Sequence, residues 1–300
     1  MASTFSKHAT CCATNIFVLL LIISVCIVGC KKDDDTTNNN NDDAQLIFRF
    51  KFDSTQVRLN NFGLPASLPS NHRAQSPVFN KMSAHYVELA PSGLVPLGGG
   101  AILFKNQETL TGGEQAIDFS KSAVVAESET FLSVPLKDIP PNTYPYLRIS
   151  LAYQNYDIKV RALGISMLGT IASFIGYNTY IGSFLVKQQN ISVNANKKQG
   201  YWAFETPYSL TQGQAPAGAT TVPNPIFTTS PVPAGSCVVT GNFEQPLVIS
   251  GQETEDIVVT VSLSTNKSFE WSETGNNNTF DPLDGDVPTD MGIRGLIGYW

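Results

Sequence analysis

The residues best spaced for chemistry form the run Glu273-Thr274-Gly275-Asn276-Asn277-Asn278-Thr279-Phe280-Asp281-Pro282-Leu283-Asp284-Gly285-Asp286. Calcium takes about six to eight oxygen ligands, and a turning stretch of Asp and Asn can present them on one inner side. Counted from Glu273 as the first place, Asn277, Asp281 and Asp284 fall at the fifth, ninth and twelfth. Glu273, Asn277, Asp281 and Asp284 are therefore the candidate calcium set. Gly275 stands where a further oxygen is expected and Asn278 where the turn wants glycine, so a plain polar loop is the alternative.

This segment resembles a degenerate loop of the EF-hand type. Elsewhere the chemistry is sparse. His72 and His85 have no recognisable partner nearby in sequence, and there is no Ser-His-Asp order, His-Glu-x-x-His, phosphate loop or Cys pair for zinc. His85 lies in the strand-like stretch Ser83-Ala84-His85-Tyr86-Val87-Glu88-Leu89, where a structural role and metal ligation both stay open. A glycan hydrolase needs only two placed carboxylates, which the 25 Asp and Glu residues could supply, but no spacing selects a pair. The Tyr and Trp residues between Tyr144 and Tyr208 could stack on sugars or fill a core.

The junction Ile27-Val28-Gly29-Cys30-Lys31-Lys32-Asp33-Asp34-Asp35 closes an uncharged run that begins at Asn15. That run is short for a bilayer span and is led in by Lys7, as in a secretory signal. The four residues ending at Cys30 resemble the lipobox of Gram-negative lipoproteins. The resemblance implies a signal peptide over residues 1–29, cleavage before Cys30 and a diacylglycerol on its thiol. Lys32-Asp33-Asp34-Asp35 is similar to the tag that exports some such proteins to the outer face. It implies an outer-membrane, surface-exposed protein whose membrane partner is met through Cys30. A plain secreted chain and an uncut apolar helix are the alternatives. One acyl chain binds a membrane only marginally, whereas two or more hold a protein stably. Once Cys11, Cys12 and Cys26 leave with the signal and Cys30 carries lipid, Cys237 is the remaining thiol, expected as a core residue ahead of Val238-Val239.

These residues need elements to position them. Residues 30–43 comprise the lipidated Cys and an acidic, Asn-rich tether, with a mean reach of ~20 Å if random coil. From residue 44 to 300 the pattern is that of strands. Phe48, Phe50 and Phe52 share one face of the first, opposite Ile47, Arg49 and Lys51. The same alternation marks Leu147 to Leu151, Ile158 to Ala162 and Ile257 to Leu263, with Gly and Pro clusters between. The expected fold is all-β, an antiparallel β-sandwich with long loops, or two stacked sandwiches meeting near residue 160. Residues 162–186 carry no charge; their glycines suit buried strands and turns better than a membrane helix, the alternative being an exposed apolar loop for a membrane or protein partner. Residues 209–236, rich in Gly, Pro, Ala and Thr, read as a long loop.

The order of segments also resembles the copper-binding, methanobactin-associated MbnP-like envelope proteins. An N-terminal Phe strand is followed by the His85 segment, then by Leu136-Lys137-Asp138-Ile139-Pro140-Pro141-Asn142-Thr143-Tyr144 and Gly200-Tyr201-Trp202-Ala203-Phe204-Glu205. The resemblance implies a β-sandwich handling copper, with Trp202 and His85 near the metal. A net charge of −6 with scattered Lys and Arg excludes nucleic acid as a partner. The expected function is a non-catalytic cell-envelope lipoprotein, a binding or assembly component with a protein or glycan partner. A calcium or copper lipoprotein and a glycan-acting hydrolase are the rivals.

Overall fold

Period-two alternation becomes strands almost throughout the structure, a computed structural model that describes residues 43–59, 64–215 and 230–300. The strands run β1 (Gln45–Asp53), β2 (His72–Gln75), β3 (Val78–Ala90), β4 (Ala101–Lys105), β5 (Glu108–Thr109) and β6 (Ala116–Asp118). They continue as β7 (Thr130–Pro135), β8 (Asn142–Ala162), β9 (Ile165–Phe174), β10 (Asn178–Leu185), β11 (Asn190–Lys198) and β12 (Tyr201–Glu205). The last are β13 (Leu210–Gln214), β14 (Cys237–Ile249), β15 (Ile257–Ser264), β16 (Phe269–Ser272), β17 (Val287–Met291) and β18 (Leu296–Tyr299). The fold is all-β and sandwich-like. Among the described residues, no helix is long and apolar enough to cross a membrane.

An 11-stranded sheet follows the path β13-β12-β9-β8-β14-β18-β15-β1-β7, with β3 and β4 added alongside β8. A four-stranded sheet, β11-β10-β6-β5, packs on one of its faces, and β17-β16-β2 form a third. The first strand buries Leu46, Phe48 and Phe50 as its alternation requires, against Val259, Val261 and Leu263 of β15. That pairing is parallel, as are β14 with β18 and β10 with β6, so the sandwich is mixed rather than purely antiparallel. Residue 160 lies inside β8, a single 21-residue strand, and one compact unit extends from Asp42 to Trp300. The alternative of two sandwiches meeting there is thereby corrected. The expected loop over residues 209–236 begins instead with a strand, β13, paired with β12; residues 216–229 of it lie outside the described residues.

The large sheet forks. Along one edge of β8, residues up to Leu151 pair with β14, Leu151 facing Cys237. From Tyr153 onward the same edge pairs with β9, Tyr153 facing Phe174. Its other edge is covered by β3 from Tyr146 to Asp157. No pairing joins β9 to β14 among the described strands.

Two buried carboxylates staple turns to this framework. Glu88 on β3 accepts the N–H of Gly98 at 3.0 Å and of Gly100 at 2.7 Å, plus the Tyr86 hydroxyl at 3.0 Å. Arg148 of β8 lies 3.5 Å from the same carboxylate and donates to the carbonyls of Val95 and Pro96. Glu205 of β12 accepts the N–H groups of Lys187, Gln188 and Gln189, closing the β10–β11 hairpin onto the sheet.

Candidate functional site

Where β9 and β14 diverge, the fork opens into a groove of about 1640 Å³. This exceeds the ~300–1,000 Å³ of sites that enclose a drug-sized ligand. Its floor is Leu151, Ile158 and Val160 of β8 with Ile171 of β9, all buried in the main core. One wall is Trp202 and Phe204 of β12; the other includes Val239 and Phe243 of β14 and Leu296 of β18.

Alternation explains why the rings face inward. Tyr201 and Ala203 point to the small sheet and join Phe174 and Phe184 in a second core cluster, leaving Trp202 and Phe204 to the opposite side. Glycines in adjacent strands let these rings lie close to the backbone. A Cβ at Gly213 would stand 2.6 Å from Trp202, and one at Gly298 2.7 Å from Phe243. Gly169 underlies Phe204 in the same way. The rings give the walls a mainly apolar surface.

Charge is nearly absent from the groove. Among the described residues, the lining includes only Glu244, Asp290 and Arg294 as acids or strong bases, and Arg294 is ion-paired to Asp290. Gln199, Gln214 and Asn242 supply uncharged polar groups. Cys237, expected as a core residue, is half-buried at the apex of the fork, lines the groove and forms no disulfide.

His85 belongs elsewhere. It is fully buried, with Nε2 3.0 Å from Glu108 Oε1 and its ring 5.5 Å from that of Tyr177, on the side of the small sheet. Burial by itself would push the Glu108 carboxyl up; hydrogen bonds from His85 and Gln115 and the Lys105 ammonium outweigh it and bring it down to about 2. Trp202 faces the groove on the opposite side of the large sheet, so the structure does not bring the two expected copper residues together.

The expected calcium residues also divide. Glu273 Oε1 accepts the N–H of Asn277 at 2.5 Å and of Asn278 at 2.8 Å, while Asn277 Oδ1 accepts that of Thr279. Asp281 and Asp284 form a separate pair, the Asp284 N–H donating to the Asp281 carbonyl. The residue that organises the loop is one the spacing did not single out, Asp286, whose two oxygens accept the N–H groups of Thr274 and Asp281. Among the described residues, no group of three or more His, Cys, Asp and Glu side chains could hold a metal ion. Asp281 is buried, its Oδ1 has no hydrogen-bond partner, and burial followed by repulsion from Asp284 raises its carboxyl above the usual range.

A carboxyl raised on folding weakens the fold as pH climbs from its unfolded value through its folded one. Asp281→Asn in calcium-free buffer is therefore expected to hold or raise the melting temperature by roughly 2 °C. The same variant melting well below the native chain only when calcium is added would restore the loop as a metal site.

Sequence reasoning left both histidines without partners, and the structure supplies them across strands. Glu270 of β16 meets half-buried His72 Nδ1 of β2 at 2.5 Å and is ion-paired to Arg58, both members of that ion pair being buried. Of the Tyr and Trp residues considered for sugar stacking, Tyr144, Tyr153, Tyr156 and Tyr201 are core, and Tyr208 is exposed. Cys30 and its flanks lie outside the described residues. No protein-family model, curated protein or solved structure matches the chain.

Proposed function

We propose that the chain is a non-catalytic lipoprotein of the bacterial outer membrane, anchored through Cys30 and exposed at the cell surface, that binds an elongated apolar ligand. The observation that carries the reading is the groove at the sheet fork, whose size, inward-facing rings and scarcity of charge suit a long hydrocarbon. A peptide would bring a backbone donor and acceptor at every residue into this apolar setting, each costly to bury unpaired. Removing apolar surface from water yields about 25 cal/mol per Å², so a chain laid along such walls gains affinity without a charged contact. Outer-membrane placement rests on the sequence around Cys30.

The test uses the mature chain, residues 30–300 carrying Cys30→Ser, which cannot be acylated there and keeps Cys237 as its one thiol. A fluorescent long-chain fatty acid is expected to bind saturably and to slow maleimide labelling of Cys237 at the groove apex. Met167→Asp, a half-buried position on the groove wall, is expected to weaken binding at least tenfold, about 1.4 kcal/mol. Absence of saturable binding together with unchanged Cys237 labelling would overturn the reading.

A further inference from the structure

The groove mouth carries a second set of apolar residues that the fold itself does not use. The β8–β9 hairpin turns on Leu163 and Gly164, both with positive φ, 51° and 77°. Two-residue hairpins of this kind favour Asn-Gly, and a bulky side chain in the left-handed region is disfavoured. Leu163 is nonetheless there, 86% exposed, where it gains nothing from packing in the free molecule. Ile165, Tyr208, Leu283 and Val287 are also exposed, and all five line the groove. The loop bearing Leu283 is tied beside the hairpin by the Arg161 N–H donating to the Phe280 carbonyl at 2.8 Å.

We propose that this rim is a bilayer-contact surface, through which the acyl chain of a membrane phospholipid enters the groove. The proposal rests on the groove's reading as a hydrocarbon site and adds the source of the hydrocarbon. Charge fits a lipid surface. The hairpin beyond Arg161 is uncharged through Val186, so its tip meets hydrocarbon without desolvating an ion. Lys159, exposed, and Arg161, half-buried, stand just behind it on β8, where headgroup phosphates would lie. On the neighbouring loop Asp281 and Asp286 are buried, and Asp284, beside Leu283, is the exposed acid. Exposed Tyr208 has the amphipathic character typical of the membrane interface. The rim residues line the same groove as Trp202, Phe204 and Phe243.

The experiment uses the mature chain, residues 30–300 with Cys30→Ser, and vesicles of phosphatidylethanolamine and phosphatidylglycerol, read by co-sedimentation. The triple variant Leu163→Ser, Ile165→Ser, Leu283→Ser alters only exposed positions and is expected to lose vesicle binding at least tenfold, while binding of a soluble fluorescent fatty acid by the groove is read on the parent chain. Leu94→Ser, at a 95% exposed residue that does not line the groove, is expected to change neither. Vesicle binding unchanged in the triple variant, or absent in the parent chain, overturns the rim proposal and leaves fatty-acid binding to judge the groove. Vesicle binding lost with the rim but no fatty-acid binding in the parent upholds the contact surface and removes acyl entry. If the rim captures a protein in cross-linking while vesicles fail to bind, the partner is a protein and the proposal falls.

Discussion

Replacing Glu88 by Ala is expected to destabilise the protein by about 3–5 kcal/mol and to lower its melting temperature by roughly 10 °C. Its carboxylate is fully buried and receives two backbone N–H groups, a tyrosine hydroxyl and the nearby Arg148 guanidinium. Truncation strands the Gly98 and Gly100 donors and leaves Arg148, itself 94% buried, without its counter-charge. Nothing else can take over, because the turn is tightly specified. Gly98 has φ of 92°, and a side chain at Gly100 would run into the Leu89 carbonyl. Glu88→Gln keeps the volume but turns an NH₂ toward donors, so it should lose nearly as much. Thermal melts of both variants, with proteolysis mapped around Gly98, make the check. A melting temperature within about 2 °C of the parent would show that the clamp is dispensable.

Acid is expected to act through Glu108. Its carboxyl falls from an ordinary 4.5 to about 2 in the folded protein, so it contributes about 3 kcal/mol that is fully present above pH 4.5 and lost as pH falls through about 2. Glu108→Gln removes that titration but keeps the size of the side chain. Urea midpoints of the two chains should therefore differ most at pH 7 and converge near pH 2. Other carboxylates lowered on folding, such as Asp53 and Asp157, titrate in both chains and cancel in the difference. A gap that stays constant with pH would mean that Glu108 acts through shape rather than charge.

The strands were legible where one face alone is buried. Phe48 and Phe50 alternate with Arg49 and Lys51, and a period of two is a local property that needs no partner to be seen. Partners were not legible. Nothing near Leu46 announces a parallel neighbour at Ile257, and His85 meets Glu108 only because intervening strands fold back. The uncharged stretch over residues 162–186 signalled an unusual region, and its inner part, with Ala172, Phe174 and Ile181, is buried as expected. Its tip is exposed instead, because β8 and β9 extend together past the packed layers to Leu163. The groove could not be read at all. Glycine at 169, 213 or 298 has a meaning only once register sets an aromatic ring against it. In the polar loop, spacing pointed to Glu273, Asn277, Asp281 and Asp284, but a ligand pattern and a network of side chains capping their own backbone use the same residue types. Backbone N–H groups took Oε1 of Glu273 and both oxygens of Asp286.

Since β9 and β14 each pair with β8 and not with each other, the width between them is set by side chains rather than by a hydrogen-bond ladder. In a closed barrel, girth is quantised by strand number and shear. Here it is not. The two arms can differ in separation by fractions of an ångström without breaking a backbone bond, so, on the hydrocarbon reading proposed above, occupants of unequal cross-section, saturated or kinked, would meet the same floor at little difference in cost.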